Sequence, residues 1–308
     1  MSVSTWEFGF KAAYAYSSRE ETVAAVTAAL FERTAQLCMS QGRVDIALTG
    51  GGDGIAVLSA AHSVMSGVRK SDADPLSHII KAIDFSKVHF WWGDERFVPA
   101  DDPDRNALQA RTAWLDSLTA HHGLPEGNIH EMPADTRPKG LIEQCRNDPD
   151  ANLKAMRAAA SHYQDELGSQ LGDKGHLDIA LFGVGPDGHF ASLFPDRPQI
   201  YNTDSGTLVL PVTDSPKMPP LRLTLTAQFI QTASCVWVVA RRKPSEGHSA
   251  RQITAMCQAH SRKVLKGLSG SLTGNPQYIF KRQWKRACNQ FHVMGHPGKT
   301  PAADRSIS

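Results

Sequence analysis

The chain reads LDIALFGVG over residues 177–185, and this stretch decides the fold. Its almost uninterrupted apolar run predicts a strand that is buried on both faces. Further strands are predicted in VDIALTG (residues 44–50), TLVLPV (207–212), LRLTLT (221–226) and CVWVVA (235–240), and KVHFWWGDERF (87–97) is predicted to be a strand that runs into a loop. Because a strand buried on both faces needs a covering layer on each side, the pattern predicts a mostly parallel sheet between helices.

Segments with helical periodicity alternate with these runs, which indicates an α/β fold. Helices are predicted over residues 20–38, 53–68, 106–118, 153–171 and 250–268. We expect a single domain over residues 1–293, with residues 133–150 as a surface excursion. Residues 294–308 are rich in Gly, Pro and small polar side chains, which predicts a disordered tail.

The composition argues against several classes of protein. The 308 residues are 41% hydrophobic, enough for one large domain, and the net charge of +2 calls for neither nucleic acid nor a membrane as partner. The five cysteines are widely spaced without a Cys-x-x-Cys pair, which fits reduced thiols. The first twenty residues do not resemble a signal peptide. We expect a cytoplasmic protein, monomeric or a small homo-oligomer.

In an open parallel sheet, ligands bind beyond the carboxyl ends of the strands, so the loops there are the candidate sites. TGGGDG (residues 49–54) joins a predicted strand to a predicted helix. Its glycines let backbone N–H groups approach an anion, and the helix N-terminus adds a favourable potential. The alternative is a tight turn with Asp53 as the helix N-cap and no ligand. The residues of this loop alone leave both interpretations open.

WWGDERFVPADDPDRN (residues 91–106) places Asp94, Glu95 and Arg96 directly after an apolar strand. An arginine there suits a phosphate or an oxyanion, whereas the simpler alternative is a solvated turn with an Asp–Arg ion pair. GVGPDGHFASLFPD (183–196) presents Asp187 and His189 on a Gly- and Pro-shaped loop. A histidine beside a carboxylate suits a general base, although most histidines are structural or merely exposed.

TDSPKMPPLRLTLT (residues 213–226) sets Lys217 and Arg222 on either side of a proline turn. Two cations in fixed geometry suit a phosphate, and the alternative is two solvated charges bordering a strand. At these segments the chain resembles the 6-phosphogluconolactonase family, within the superfamily that also holds glucosamine-6-phosphate isomerases. The resemblance covers roughly residues 20–270 and rests most on WGDERFVPADDPDRN and GVGPDGHFASLFPD, then on SPKMPPLRLTLT.

The resemblance implies a modified Rossmann-like α/β fold and hydrolysis of 6-phospho-D-glucono-1,5-lactone to 6-phosphogluconate in the oxidative pentose phosphate pathway. It implies that His189 is the base with Asp187 beside it, and that Arg96 contacts substrate or oxyanion. The implied substrate ligands are Thr49, Gly50, Gly51, Gly52, Asp53, Asp94, Lys217 and Arg222. Water attack assisted by a histidine requires no metal and no organic cofactor, so we expect neither.

Some positions depart from the family's pattern and bear on substrate affinity more than on reaction type. Gly52 and Asp53 stand where hydroxyl residues are usual, and Phe190 stands where a threonine is usual. The segments RRKPSEGHSAR (residues 241–251) and WKRACNQ (284–290) are also atypical. Because a carboxylate facing the phosphate would repel it, we expect Asp53 to turn away and cap the helix.

Two other functions remain open on the sequence. One is an amino-sugar-phosphate isomerase or deaminase on the same fold, in which the same histidine moves a proton at a sugar carbon. The other is a non-catalytic phosphosugar-sensing module. Such modules are normally attached to a DNA-binding domain, and no basic helix-turn-helix segment precedes residue 44.

Overall fold

A computed structural model describes residues 4–7, 12–68, 76–185, 187–195, 197–241 and 288–294. The strands are β1 (Ser4–Glu7), β2 (Ala12–Tyr16), β3 (Val44–Leu48), β4 (Val88–Trp92), β5 (Asp94–Arg96), β6 (Ile179–Gly183), β7 (Val209–Val212), β8 (Arg222–Leu225), β9 (Cys235–Arg241) and β10 (Cys288–Met294). The helices are α1 (Arg19–Ser40), α2 (Gly51–Val68), α3 (Ser77–Lys81), α4 (Asn106–Ala110), α5 (Asp116–His121), α6 (Lys139–Gln144), α7 (Pro149–Leu171) and α8 (Ala227–Thr232).

The main sheet follows the order β1-β2-β10-β9-β6-β3-β4. Its neighbours run parallel from β2 to β4, and β1 is antiparallel to β2 at the edge. Every residue of β3 is buried, as are the first four of β6, because both strands lie between neighbours. The prediction of a mostly parallel sheet from continuous apolar runs is confirmed.

Helices cover both faces of this sheet, as predicted. Phe90 and Trp91 are consecutive in β4 and therefore point to opposite faces. The ring of Phe90 lies 5.7 Å from that of Trp114, which in turn lies 6.0 Å from Phe31 of α1. Trp91 instead lies 5.9 Å from the ring of Tyr163 in α7. The long helices α1 and α7 thus pack on opposite sides of the core.

A second, antiparallel sheet of order β5-β8-β7 was not foreseen. The sequence interpretation placed residues 94–96 in a loop, and the structure makes them a strand. Gly93 is the junction, because its N–H donates to Leu48 O of the main sheet while its carbonyl accepts from Leu225 N of the second. A Cβ on Gly93 would lie 2.3 Å from the ring of Phe182, so only glycine fits at the crossing.

Helix ends differ from the predictions by a few residues. The helix predicted from residue 53 begins at Gly51, so Asp53 lies in its first turn and the N-cap prediction is wrong. The helix predicted from residue 153 begins at Pro149, because Asp148 caps it through the N–H groups of Asp150 and Ala151. It ends at Leu171 as predicted, since Gly172 takes a φ of +50°.

The remaining predictions along the chain have mixed outcomes. The helix over residues 106–118 extends to His121 through a π-helical turn at Arg111–Leu115. Within the predicted surface excursion, α6 contains no buried residue. Strands β1, β2 and β10 were not predicted. The predicted helix over 250–268 lies outside the described residues, as does the predicted tail beyond Met294, the last residue of β10. None of the described helices is both long and apolar enough to cross a membrane.

Candidate active site

A cavity of about 190 Å³ opens beyond the carboxyl ends of β3 and β6, where the parallel sheet was expected to bind a ligand. It joins all four of the segments singled out in the sequence. The candidate residues in its lining are Thr49, Gly50, Gly51, Gly52, Asp53, Asp94, Arg96, His189 and Arg222. The other two candidates, Asp187 and Lys217, lie beside His189 and outside this lining. The structure therefore brings the candidates into one region.

His189 and Asp187 form a hydrogen-bonded pair, with 2.5 Å between His189 Nδ1 and Asp187 Oδ1. The loop after β6 brings them together because Gly188 adopts a φ of +86°. Gly185 makes room for the pair, since a Cβ there would lie 2.0 Å from His189 Cε1 and 2.6 Å from Asp187 Oδ1. The imidazole also stacks on Phe194 at 4.8 Å. These contacts fix the orientation of the ring.

The surroundings of this pair favour a neutral histidine and an ionised aspartate, because the pKa of each group is lowered. Burial lowers the pKa of His189, and the charge of Lys217 acts in the same direction, against the opposing effects of Asp187 and Asp94. Burial acts to raise the pKa of Asp187, yet the hydrogen bond from His189 and the charges of His189 and Lys217 hold it below its usual value. An ionised carboxylate only accepts hydrogen bonds, so Nδ1 carries the ring proton and Nε2 is the basic nitrogen.

Asp94 lines the cavity with a carboxylate that is fixed from the neighbouring loop. Its Oδ2 accepts a 2.6 Å hydrogen bond from the hydroxyl of Ser192. The backbone N–H of Ser192 is held in turn by Thr224 Oγ1 of β8 at 3.3 Å. Ser192 is not among the site residues predicted from the sequence, because the residue it supports is 98 positions away. Ser192 acts here as a support for Asp94.

Glu95 is buried and ties β5 to the start of α4. Its carboxylate accepts backbone N–H groups of Arg96 at 2.8 Å, Asn106 at 2.7 Å and Ala107 at 2.8 Å. The side chain of Asn106 then donates to the carbonyl of Asp94 at 2.8 Å. The sequence places Glu95 directly after an apolar strand but does not predict its contact with the start of α4. The first N–H groups of a helix have no acceptor within the helix, so a carboxylate shortly before a predicted helix is a candidate to accept from them. That signal could have identified the role of Glu95.

Arg96 reaches the cavity from the same strand. Its Nη1 donates to the carbonyl of Asp104 at 2.5 Å, which orients the guanidinium. Its Nε is buried and has no hydrogen-bond partner among the described residues. A cation held in this way can stabilise a negative oxygen in the cavity.

The loop from Thr49 to Gly54 forms another wall and leads straight into α2. Gly51 takes a φ of +77°, a conformation that favours glycine. Gly50 packs against Asn106, where a Cβ would lie 1.7 Å from the amide oxygen. The first N–H groups of a helix lack partners within the helix, and the positive end of its dipole lies there. This wall is therefore suited to an anion.

Asp53 is paired rather than acting as a cap. Its Oδ1 lies 2.9 Å from Nε of Arg19, the first residue of α1. The same guanidinium donates through Nη2 to the carbonyl of Gly52 at 2.7 Å. The sequence could not show this contact, because it joins residues 34 positions apart.

The two predicted phosphate ligands differ in their surroundings. Arg222 is buried in the wall, where it donates to the carbonyls of Pro219 at 3.0 Å, Lys217 at 3.1 Å and Met218 at 3.3 Å. Much of its guanidinium therefore holds the turn around the cis Met218–Pro219 bond. Lys217 is 40% exposed, and its Nζ lies 3.1 Å from His189 Nδ1 and 3.4 Å from Asp187 Oδ1.

Comparisons with known proteins find relatives that match most of the chain. A 6-phosphogluconolactonase of Streptomyces coelicolor is 35% identical over 230 residues, which covers 73% of this chain and 76% of the relative. A 6-phosphogluconolactonase of Mycobacterium tuberculosis is 37% identical over 203 residues, which covers 65% and 68% of the two chains. These relatives share most of their length with the chain.

Solved structures show the same fold at lower identity. The crystal structure of 6-phosphogluconolactonase from Thermotoga maritima has a TM-score of 0.58 at 20% identity and covers 92% of this chain and 97% of its own. The enzyme from Trypanosoma brucei has a TM-score of 0.58 at 23% identity, with coverage of 92% and 95%. The family of glucosamine-6-phosphate isomerases and 6-phosphogluconolactonases matches residues 17–259. The chain belongs to this family.

Proposed function

We propose that the protein hydrolyses 6-phospho-D-glucono-1,5-lactone to 6-phosphogluconate, a step of the oxidative pentose phosphate pathway. The observation that carries this proposal is His189, which Asp187 orients and which lines the same cavity as a helix N-terminus. The names of the curated relatives, at 35% and 37% identity, support the choice of substrate.

The reaction begins with a water molecule between His189 and the lactone carbonyl. Nε2 of His189 takes a proton from this water as its oxygen attacks the carbonyl carbon. Asp187 stabilises the resulting imidazolium through Nδ1, at 2.5 Å. Arg96 and loop amides stabilise the oxyanion of the tetrahedral intermediate. The intermediate then collapses with cleavage of the bond to the ring oxygen, which receives the proton from His189.

The rate enhancements expected from these groups are sufficient, because the lactone is an ester that already opens slowly in water. A general base contributes about 10²–10⁴-fold, and an oxyanion donor contributes about 10²–10³-fold. The reaction as proposed uses side chains and backbone groups of this chain together with one water molecule.

The phosphate is proposed to bind at the wall formed by Thr49, Gly50, Gly51 and Gly52, where the N-terminus of α2 meets the cavity. Arg222 contributes positive charge from the adjoining wall, and Lys217 contributes it from beside the His189–Asp187 pair. Asp94 is proposed to accept a hydrogen bond from a sugar hydroxyl through the carboxylate oxygen that Ser192 does not occupy.

The proposal is tested by presenting three compounds to the purified protein. We expect acid release from freshly made 6-phosphogluconolactone above the spontaneous rate, and a much lower kcat/KM for unphosphorylated gluconolactone. Each lost charged contact to the phosphate costs about 1.5–3 kcal/mol. Glucosamine 6-phosphate serves as the third compound, with ammonia as the readout. Ammonia release without lactone hydrolysis would support a deaminase, and binding of all three without turnover would support a sensing module.

We further propose that the protein works in the cytoplasm, as a monomer or a small homo-oligomer. The described cysteines Cys38, Cys145 and Cys235 are free thiols, which suits a reducing compartment. Light scattering on a sizing column measures the oligomeric state directly.

A further inference from the structure

Asp53 is at odds with an anion-binding wall. It lies in the first turn of α2 and lines the cavity, next to the glycines that line the same wall. A carboxylate so close to a phosphate repels it, since the interaction of two like charges stays substantial over several ångströms in a partly buried site. The wall binds a phosphate well only if this charge is compensated.

Arg19 supplies the compensation from a different helix. Its Nε lies 2.9 Å from Asp53 Oδ1, and its Nη2 donates to the carbonyl of Gly52 at 2.7 Å. The Asp53 side chain is 16% exposed and that of Arg19 is 39% exposed, so solvent screens the pair less than an ion pair at an open surface. One guanidinium therefore neutralises the carboxylate and also fixes the backbone beside it.

We infer that Arg19 is a positioning residue that sets the preference for a phosphorylated substrate by neutralising Asp53. This inference rests on the proposed function. Arg19 acts through Asp53 and through the Gly52 carbonyl, and it takes no part in the proton transfers at His189. Its loss should therefore change substrate affinity and leave the chemical step nearly intact.

The experiment compares Arg19→Gln, Asp53→Asn and the double variant with the wild-type protein. Arg19→Gln removes the positive charge that contacts the Asp53 carboxylate, so KM for 6-phosphogluconolactone should rise about tenfold while kcat changes less than about twofold. In Asp53→Asn the charge of Arg19 is left unpaired near the phosphate, so KM should fall by a few-fold. In the double variant KM should return to within about threefold of wild type.

Three controls separate this electrostatic role from a structural one. Arg33→Gln removes the same type of charge from the same helix about 21 Å away, and KM should not change. Arg19→Lys keeps the charge, so KM should stay within about threefold of wild type. At about 1 M salt the Debye length is about 3 Å, so the effect of Arg19→Gln should shrink. Melting temperatures of all variants identify any loss of folding.

Two results would overturn the inference. One is a double variant whose KM is as high as that of Arg19→Gln. The other is an equal rise of KM for phosphorylated and unphosphorylated lactone in Arg19→Gln. If the wild-type protein does not hydrolyse the lactone, the proposed function fails by itself. Calorimetric titration of the same proteins with 6-phosphogluconate and with inorganic phosphate then tests the inference without turnover. Affinity should be lowest in Arg19→Gln, highest in Asp53→Asn and close to wild type in the double variant.

Discussion

The loops after β6 and β3 lie at the same edge of the sheet and are built in different ways. The loop after β6 runs irregularly and holds two side chains in a fixed pair, His189 and Asp187. The chain after β3 enters α2 almost at once, at Gly51, and offers backbone N–H groups instead. A turn can aim a reactive side chain, whereas a helix start concentrates amide dipoles. The difference supports the proposal that the loop after β6 carries the chemistry and the loop after β3 carries the affinity for phosphate.

The largest effect is expected for His189→Ala, which tests whether the loop after β6 carries the chemistry. Loss of the general base should lower kcat by at least about 10²-fold. KM should change far less, because the phosphate wall is untouched. Steady-state kinetics with 6-phosphogluconolactone measure both constants, and circular dichroism with the melting temperature serves as the folding control. A folded variant with nearly normal turnover would remove His189 from the mechanism.

A matched pair of glycine substitutions tests the two loops separately, with a smaller expected effect than His189→Ala. In Gly185→Ala the new Cβ would meet His189 Cε1 at 2.0 Å, so the ring must move and kcat should fall by about 10²-fold. In Gly50→Ala it would meet Asn106 Oδ1 at 1.7 Å, so the anion wall must move and KM should rise by about tenfold. Both variants receive the same kinetic and melting measurements. If both changed kcat and KM in the same ratio, the division of labour between the loops would be wrong.

The smallest expected effect is a pair of opposite shifts in the pH dependence of kcat/KM. His189 works as a base only when neutral, so the rate should rise with pH through its pKa, which burial and Lys217 lower from 6.5. Asp187→Asn removes a charge that raises this pKa, so the midpoint should move to lower pH while kcat also falls. Lys217→Gln removes a charge that lowers it, so the midpoint should move to higher pH. Shifts in the same direction would contradict the proposed electrostatics.

The sequence predicted the contact within the loop after β6 better than the arrangement of the sheets, for a physical reason. Asp187 and His189 are two residues apart, so the local turn residues between them determine their contact. Burial on both faces is likewise visible in the apolar runs of β3 and β6. Which strands pair is a long-range property. The separate sheet of β5, β7 and β8 was therefore missed, although two of its three strands were recognised as strands.

The supports of the site were missed for the same reason. Glu95 contacts the start of α4 11 and 12 residues away, and Arg19 contacts Asp53 34 residues away. No short motif encodes either contact. The conflict between Asp53 and a phosphate is visible in the sequence, but it led to the prediction of a helix cap, whereas the structure pairs Asp53 with Arg19.

The position of β10 has a consequence for biosynthesis. This strand lies between β2 and β9, with Phe291 opposite Ala13 on one side and Val238 on the other. During translation the chain emerges at about 5–20 residues per second, so β2 waits for its partner for tens of seconds. Until residues 288–294 leave the ribosome, both neighbours expose an unpaired edge that other nascent chains can join. The chain is therefore most prone to aggregation while it is still being made, and a chaperone that shields this gap should raise the yield of folded protein.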